Sequence, residues 1–285
     1  MIPLSAGAAE ALVAPDMGGG LAALTVSGRP VLRGWSGRAE EGPFALGLNL
    51  LAPFSNRIAG GFDFDGRRYD LAPNLPGEPF PIHGDAFQRA WKVAARSGWS
   101  VTLALPEGEF GPFRYAAEVV YRLAPGDIAI ALRLTSRARD PLPFGGGFHP
   151  WFPRSAATRL RFDAAGHWPE DARHLPASET PEPEPAGWRW SEPAPLPAGW
   201  INAGFSDWNG AAEIHQGPDA VSVRVSARDL TTIILYAPSS EAGFFCLEPV
   251  SHPVNAHNLP GKPGLSTLQP GESLSWSLHL KWSEP

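Results

Sequence analysis

Short apolar runs that alternate with polar residues recur along most of the chain. Ala11–Ala14 and Leu21–Val26 flank three glycines, and Ser27-Gly28-Arg29-Pro30 turns the chain before Val31 and Leu32. Trp91–Val93, Trp99–Leu105, Tyr115–Leu123 and Ile128–Leu134 follow, rich in β-branched and aromatic residues, with Pro125-Gly126-Asp127 as a turn between the last two. Later, Ala211–His215, Val221–Val225 and Thr232–Tyr236 read the same way. Val221, Val223 and Val225 share one face of a strand, and Ser222 and Arg224 share the other. Leu274, Trp276, Leu278 and Leu280 end the series at period two, after the turn Gln269-Pro270-Gly271-Glu272. Such alternation marks strands with one face on a core and one toward water. No segment before residue 140 carries a convincing helical period. The pattern predicts an all-β chain.

Composition sharpens this. The chain has 285 residues with 31 Gly, 32 Pro, 11% aromatic and 18% charged residues, which suits many turns and short strands. An all-β fold of this length often forms one unit, and residues 1–285 are expected to form a single domain. A net charge of −6 offers no basic footprint, so no nucleic-acid partner is expected. No apolar run is long enough for a membrane span, so no membrane partner is expected. The first twenty residues lack the charged start and apolar core of a secretory signal, and Cys246 is the only cysteine. Both point to a cytoplasmic location. The sequence specifies no oligomeric state.

Chemistry concentrates in three places. In Pro53–Trp91, Asn56 and Arg57 precede a hairpin whose Asp65-Gly66 turn favours positive φ, and an Asn74–Gly77 loop leads on to His83-Gly84. Two readings stay open from spacing alone: a surface hairpin with a solvated Arg and a turn His, or Arg57 and His83 lining one pocket. The second place is Phe144-Gly145-Gly146-Gly147-Phe148-His149-Pro150-Trp151-Phe152. Its glycines allow close backbone approach, and Pro150 biases His149 toward extended backbone. The third is Cys246-Leu247-Glu248-Pro249, where a carboxylate ends an apolar run and needs partners or a task. Glu248, His252 and His257 are also candidate metal ligands. However, Pro249 and Pro253 disfavour the helix that would align Glu248 with His252, and no metal or other cofactor is expected.

Between these motifs, residues 164–200 carry eight prolines and four tryptophans: Trp168, Trp188, Trp190 and Trp200. The prolines exclude a sheet interior. The tryptophans favour an ordered loop walling a site over a flexible linker.

Taken in order, N-R-I with its hairpin and H-G, then H-P-W-F, then C-x-E-P with N-A-x-N, resemble the aldose 1-epimerase (galactose mutarotase) family. The resemblance implies a large antiparallel β-sandwich with a sugar site on a concave sheet face. It implies Glu248 as general base, His149 as general acid acting as imidazolium, Arg57 and His83 as sugar contacts, and Asn56 as a structural neighbour. The implied partner is a small-molecule sugar, and the implied activity interconverts α and β anomers of a free aldose without a cofactor. Two alternatives are a hexose-6-phosphate 1-epimerase, with Arg67, Arg68, Arg89 and Arg96 as phosphate contacts, and a non-catalytic sugar-binding or sensing protein. One departure stands out. Where relatives carry a sugar-contacting Asp in D-x-x-F ahead of a strand, this chain has Asn202-Ala203-Gly204-Phe205. Asn202 is preferred as the counterpart, with Asp207, in a turn-like stretch, as the alternative.

Overall fold

The computed structural model describes residues 1–283, leaving Glu284 and Pro285 outside the described residues. The alternating runs assemble into two large antiparallel sheets packed face to face. The first runs in the order Ile2–Ala6, Ala9–Ala14, Gly20–Val26, Leu48–Leu51, Gly147–Pro153, Phe244–Val250, Thr232–Ala237, Ile201–Ser206 and Gly166–Trp168, with Arg29–Pro30 added beside Gly20–Val26. The second runs Ala194–Pro195, Arg159–Phe162, Ala211–His215, Val223–Ser226, Ser273–Lys281, Asp127–Ser136, Phe113–Ala124, Ser100–Phe110 and Lys92–Arg96. Among the described residues, no helix is long and apolar enough to cross a membrane.

The two sheets differ in what covers them. In the second, Val101, Leu103, Tyr115, Val119, Tyr121, Ile128, Ile130, Leu132, Leu278 and Leu280 are buried, while most intervening positions are exposed or half-buried. That sheet has one wet face, as the alternation requires. The central strands of the first sheet are covered on both faces: all of Leu48–Leu51 and almost all of Gly147–Pro153 and Phe244–Val250 are buried. One face carries Leu48, Leu50, Phe148, Phe152, Ile233, Leu235, Phe245 and Leu247 into the core. Burying each such side chain contributes roughly 1.5–3 kcal/mol. By the pleat, the other face must carry Asn49, His149, Trp151, Asn202, Tyr236, Cys246 and Glu248.

Residues 61–70 form the expected hairpin, Gly61–Phe64 against Arg67–Asp70, as a separate two-stranded sheet. The backbone zips together at its base. Ile58 N–H donates to Pro81 O at 3.2 Å, His83 N–H donates to Asn56 O at 3.0 Å, and Arg57 bridges Ile82. Asn74 staples this closure: its amide nitrogen donates to Ile82 O and Gly84 O, and its oxygen accepts from Ile82 N–H. Asn255, from the third motif, ties in as well. Its N–H donates to Arg57 O, and its side-chain oxygen accepts from Ala59 N–H at 2.9 Å. All three motifs therefore meet at one end of the first sheet.

Residues 164–200 form an ordered strap containing the short strands Gly166–Trp168 and Ala194–Pro195. Trp168 and Trp190 are buried and Trp188 is half-buried, but Trp200 stays 51% exposed, so only part of this aromatic set packs away from water. Asn202 lies within the strand Ile201–Ser206 rather than ahead of it, and Asp207 occupies a turn at φ 52°.

Gly84 tests the closure at the base of the hairpin. It sits at φ 65°, and an added Cβ would lie 2.2 Å from Ala52 O. Gly84→Ala should destabilise the protein by on the order of 3 kcal/mol. Urea unfolding measures this, and a midpoint equal to wild type would show that the 52–84 contact is not tight.

Candidate active site

The site is built on the buried face of the first sheet. Pairing of Gly147–Pro153 with Phe244–Val250 runs Gly147↔Val250 and Trp151↔Cys246, a register that sets His149 opposite Glu248. Gly147 is needed here because an added Cβ would lie 2.4 Å from Pro249 O. His149 Nε2 stands 3.4 Å from Glu248 Oε1, with both side chains buried. Trp151 stacks on His149 at 4.7 Å between ring centroids, and Arg33 lies 4.0 Å from the Trp151 ring centroid. Tyr236, on the neighbouring strand, and Asn202, one strand further, continue along the same face through the pairings Cys246↔Tyr236 and Tyr236↔Asn202. Successive strands are about 4.8 Å apart, so the strand of Asn202 lies roughly 10 Å from that of Glu248.

The base of the hairpin supplies a second wall. His83 and Asn56 both adopt left-handed backbone, at φ 60° and 53°. Asn56 N–H donates to His83 Nδ1 at 3.0 Å. Nδ1 is therefore the unprotonated nitrogen, and the proton of the neutral ring sits on Nε2. His83 is a fixed hydrogen-bond donor, with its ring 5.2 Å from that of His149. Arg57 forms a two-pronged ion pair with Glu78, both contacts at 2.9 Å.

These groups enclose a cavity of about 450 Å³ that Asn56, Arg57, His83, His149, Asn202 and Glu248 all help to line. Smaller clefts elsewhere on the molecule are lined by exposed or half-buried charged residues such as Glu213 and Arg224, and none gathers buried titratable groups as this cavity does. The structure thus brings all five sequence-selected residues to one cavity. Trp151 of the second motif and Trp200 of the strap also line it, together with residues the sequence did not single out: Glu78, His174, Tyr236 and Phe44. Glu78 could have been noticed only as an acid on the loop between Arg57 and His83. His174 had no local signal, because the strap carries it in from a distance. Arg67, Arg68 and Arg89 pair instead with Asp140, with Asp63 and Asp70, and with Asp85, and none of these lines the cavity.

Burial dominates the electrostatics. It raises Glu248 to about 8, against a smaller opposing pull from Arg57. It lowers His149 to about 3, with Arg33 pushing the same way. Without a sugar, the pair therefore favours a carboxylic acid beside a neutral imidazole. Glu248 Oε2 is buried with no hydrogen-bond partner in the protein. His252 and His257 are buried structural rings. His252 accepts Ser55 N–H at Nε2 and donates from Nδ1 to Pro253 O, and His257 pairs with Pro143 O.

Among the described residues, His83, His149 and Glu248 bring potential metal-ligating atoms within 4.8 Å of one another. The set fits a metal poorly. His83 already spends Nδ1 on a backbone amide, so its Nε2 must keep a proton, and neither nitrogen has a free lone pair. The set Glu248, His252 and His257 also fails, since His252 uses both ring nitrogens in hydrogen bonds.

Acid stability follows from these groups. His83, His149, His252 and His257 all have lowered affinities for a proton, through burial first. The unfolded chain binds their protons below about pH 6.5, whereas the folded protein does not. Glu248 acts oppositely, because the folded protein holds its proton between about 4.5 and 8. Stability should fall as pH drops from 6.5 toward 4.5, at up to about 4 kcal/mol per pH unit for a net three protons. Urea unfolding between pH 8 and 4.5 checks this, and a flat curve would count against neutral burial of the histidines. Glu248→Gln should raise Tm most at pH 8, where the buried carboxylate is charged, and the gain should shrink by pH 5.

Known proteins agree with this architecture. A crystal structure of an Escherichia coli K12 protein is similar at 30% identity and TM-score 0.92, covering 99% of this chain and 98% of that one. The uncharacterized protein YphB of Escherichia coli K12 is 35% identical over 242 residues, which is 81% of this chain and 83% of YphB. A galactose mutarotase-like protein from Clostridium acetobutylicum shares the fold at 20% identity and TM-score 0.87, covering 99% of this chain and 95% of its own. Residues 1–281 match the family described as aldose 1-epimerase. With that match added to the sandwich and to the meeting of its three motifs, the chain belongs to the aldose 1-epimerase family.

Proposed function

We propose that the protein is an aldose 1-epimerase that interconverts the α and β anomers of a free aldose. The observation that carries this is the buried His149–Glu248 pair, facing each other across neighbouring strands at 3.4 Å. Anomer exchange opens the hemiacetal and recloses it on the other face of C1. One group takes the proton of the anomeric hydroxyl while another protonates the ring oxygen. The aldehyde turns about C1–C2, and both transfers then reverse. A pair that shares one proton supplies one acceptor and one donor at once. Burial alone leaves the proton on Glu248. Sugar hydroxyls donating to the carboxylate favour its anion and move the proton to His149. Glu248 then acts as base and His149 as acid. His83, fixed as an Nε2–H donor, and Arg57 hold the sugar so that the transfers are short.

A free sugar is supported over a phosphorylated one, because Arg57 already pairs with Glu78, and Arg67, Arg68 and Arg89 pair with carboxylates away from the cavity. Retention of both members of the proton-transfer pair supports catalysis over binding alone.

Polarimetry of freshly dissolved α-glucose, α-galactose, xylose and arabinose should show accelerated mutarotation of at least one. Glu248→Gln should lower the rate by on the order of a hundredfold or more while keeping the fold. Turnover by Glu248→Gln near the wild-type rate would remove Glu248 from the base role. His149→Asn should be comparably damaging, and His83→Asn milder, raising KM as well as lowering kcat.

The pH profile should be a bell set by the pair. Activity should fall above about pH 8, as the shared proton leaves, and toward about pH 3, as a second proton binds. Because the two groups share one proton, the alkaline limb belongs to the pair jointly. A profile unchanged between pH 6 and 10 would refute a one-proton pair.

A further inference from the structure

The strap contributes a small built loop to the cavity wall. Glu170 and Pro176 bridge, Asp171 N–H donates to Leu175 O at 2.7 Å, and Ala177 N–H donates to Pro169 O at 2.7 Å. Asp171 Oδ1 accepts the N–H groups of Arg173 and Leu175, which fixes the turn, and Leu175 is buried beneath it. This loop carries Glu170 and His174 up against the sheet. Three residues lining the cavity converge on the Glu170 carboxylate. Asn202 Nδ2 donates at 2.5 Å, Trp200 Nε1 donates at 3.1 Å, and His174 Nδ1 donates to the oxygen that Asn202 also uses. Glu170 itself does not line the cavity.

The hydrogen bonds dictate what the sugar meets. With its Nδ2 held by Glu170, Asn202 has Oδ1 left as an acceptor for a hydroxyl. With Nδ1–H held by the same carboxylate, His174 has Nε2 left for a second hydroxyl. Trp200, held by its indole N–H and set edge-on to Tyr236 at 5.2 Å, offers an apolar ring. An apolar face beside polar groups held in place is the chemistry that selects one arrangement of ring hydroxyls over another. These groups stand roughly two strand spacings from Glu248, so they read a part of the sugar remote from the reacting atoms.

We infer that Glu170 is a positioning residue that sets sugar specificity by orienting Asn202, His174 and Trp200 from the strap. The inference rests on the sugar-site reading above. It also explains why residue 202 is an amide here: a carboxylate at 202 would stand at hydrogen-bond distance from Glu170 and repel it.

Four proteins test it: wild type, Glu170→Gln, Asn202→Asp and the double variant. Each is measured by polarimetry for kcat and KM, and by calorimetry for affinity, on glucose, galactose, xylose and arabinose. Glu170→Gln should raise KM and weaken affinity about tenfold, flatten the ranking of sugars, and leave kcat within about threefold. Asn202→Asp should be worse than Glu170→Gln. The double variant restores an amide–carboxylate pair with its polarity reversed, so it should recover affinity relative to Asn202→Asp. Unchanged affinity and ranking in Glu170→Gln would overturn the inference, as would a double variant no better than Asn202→Asp. Because affinity is read apart from turnover, a wild-type protein that binds these sugars without interconverting them would sink the proposed reaction while Glu170 is still judged by affinity. A protein that binds none of them would overturn both.

Discussion

Antiparallel pairing of Gly147–Pro153 with Phe244–Val250 decides which side of the sheet each site residue faces. Because side chains alternate strictly along a strand, a slip of one residue would send His149 or Glu248 into the core and bring Phe148 or Leu247 to the cavity. The core enforces the register, since Phe148, Phe152, Phe245 and Leu247 must stay together out of water. The chemistry is thus held in place by hydrophobic residues one position away. The hairpin base and the strap dock onto a face that this pairing has already oriented.

Burial of that face has two opposed effects. It makes a polar pair expensive, as the unpartnered Oε2 of Glu248 and the strongly shifted acid affinities of both groups attest. It also removes the competition of water for the same hydrogen bonds, which strengthens any contact the imidazole and the carboxyl make there. The buried neutral rings of His83 and His149 and the buried carboxyl of Glu248 make the site a stability liability that the surrounding core has to offset.

Different sheets were legible to different degrees in the sequence. Strands of the second sheet, such as Phe113–Ala124 and Ser273–Lys281, announce themselves because one face is wet and the apolar residues alternate. Leu48–Leu51 and Ile201–Ser206 give no such signal, since core covers one face and the site, with its strap, covers the other. Asn202 was accordingly read as lying before a strand rather than inside one. The site residues Arg57, His83, His149 and Glu248 could be picked out because each sits in a short local motif. Glu78, Glu170 and His174 could not, because loops deliver them and their partners lie far away in the chain. The protonation state of His149 was also illegible, because it depends on burial by residues distant in sequence.

The closeness of His149 to Glu248 bears on how such a site would reset itself. Ring opening moves one proton from the sugar to one partner and one from the other partner to the sugar, and ring closure returns both. The pair ends each cycle as it began, so it has no need to trade protons with bulk solvent. A catalyst built this way can be sealed beneath its substrate for the whole cycle, and its speed becomes independent of buffer concentration.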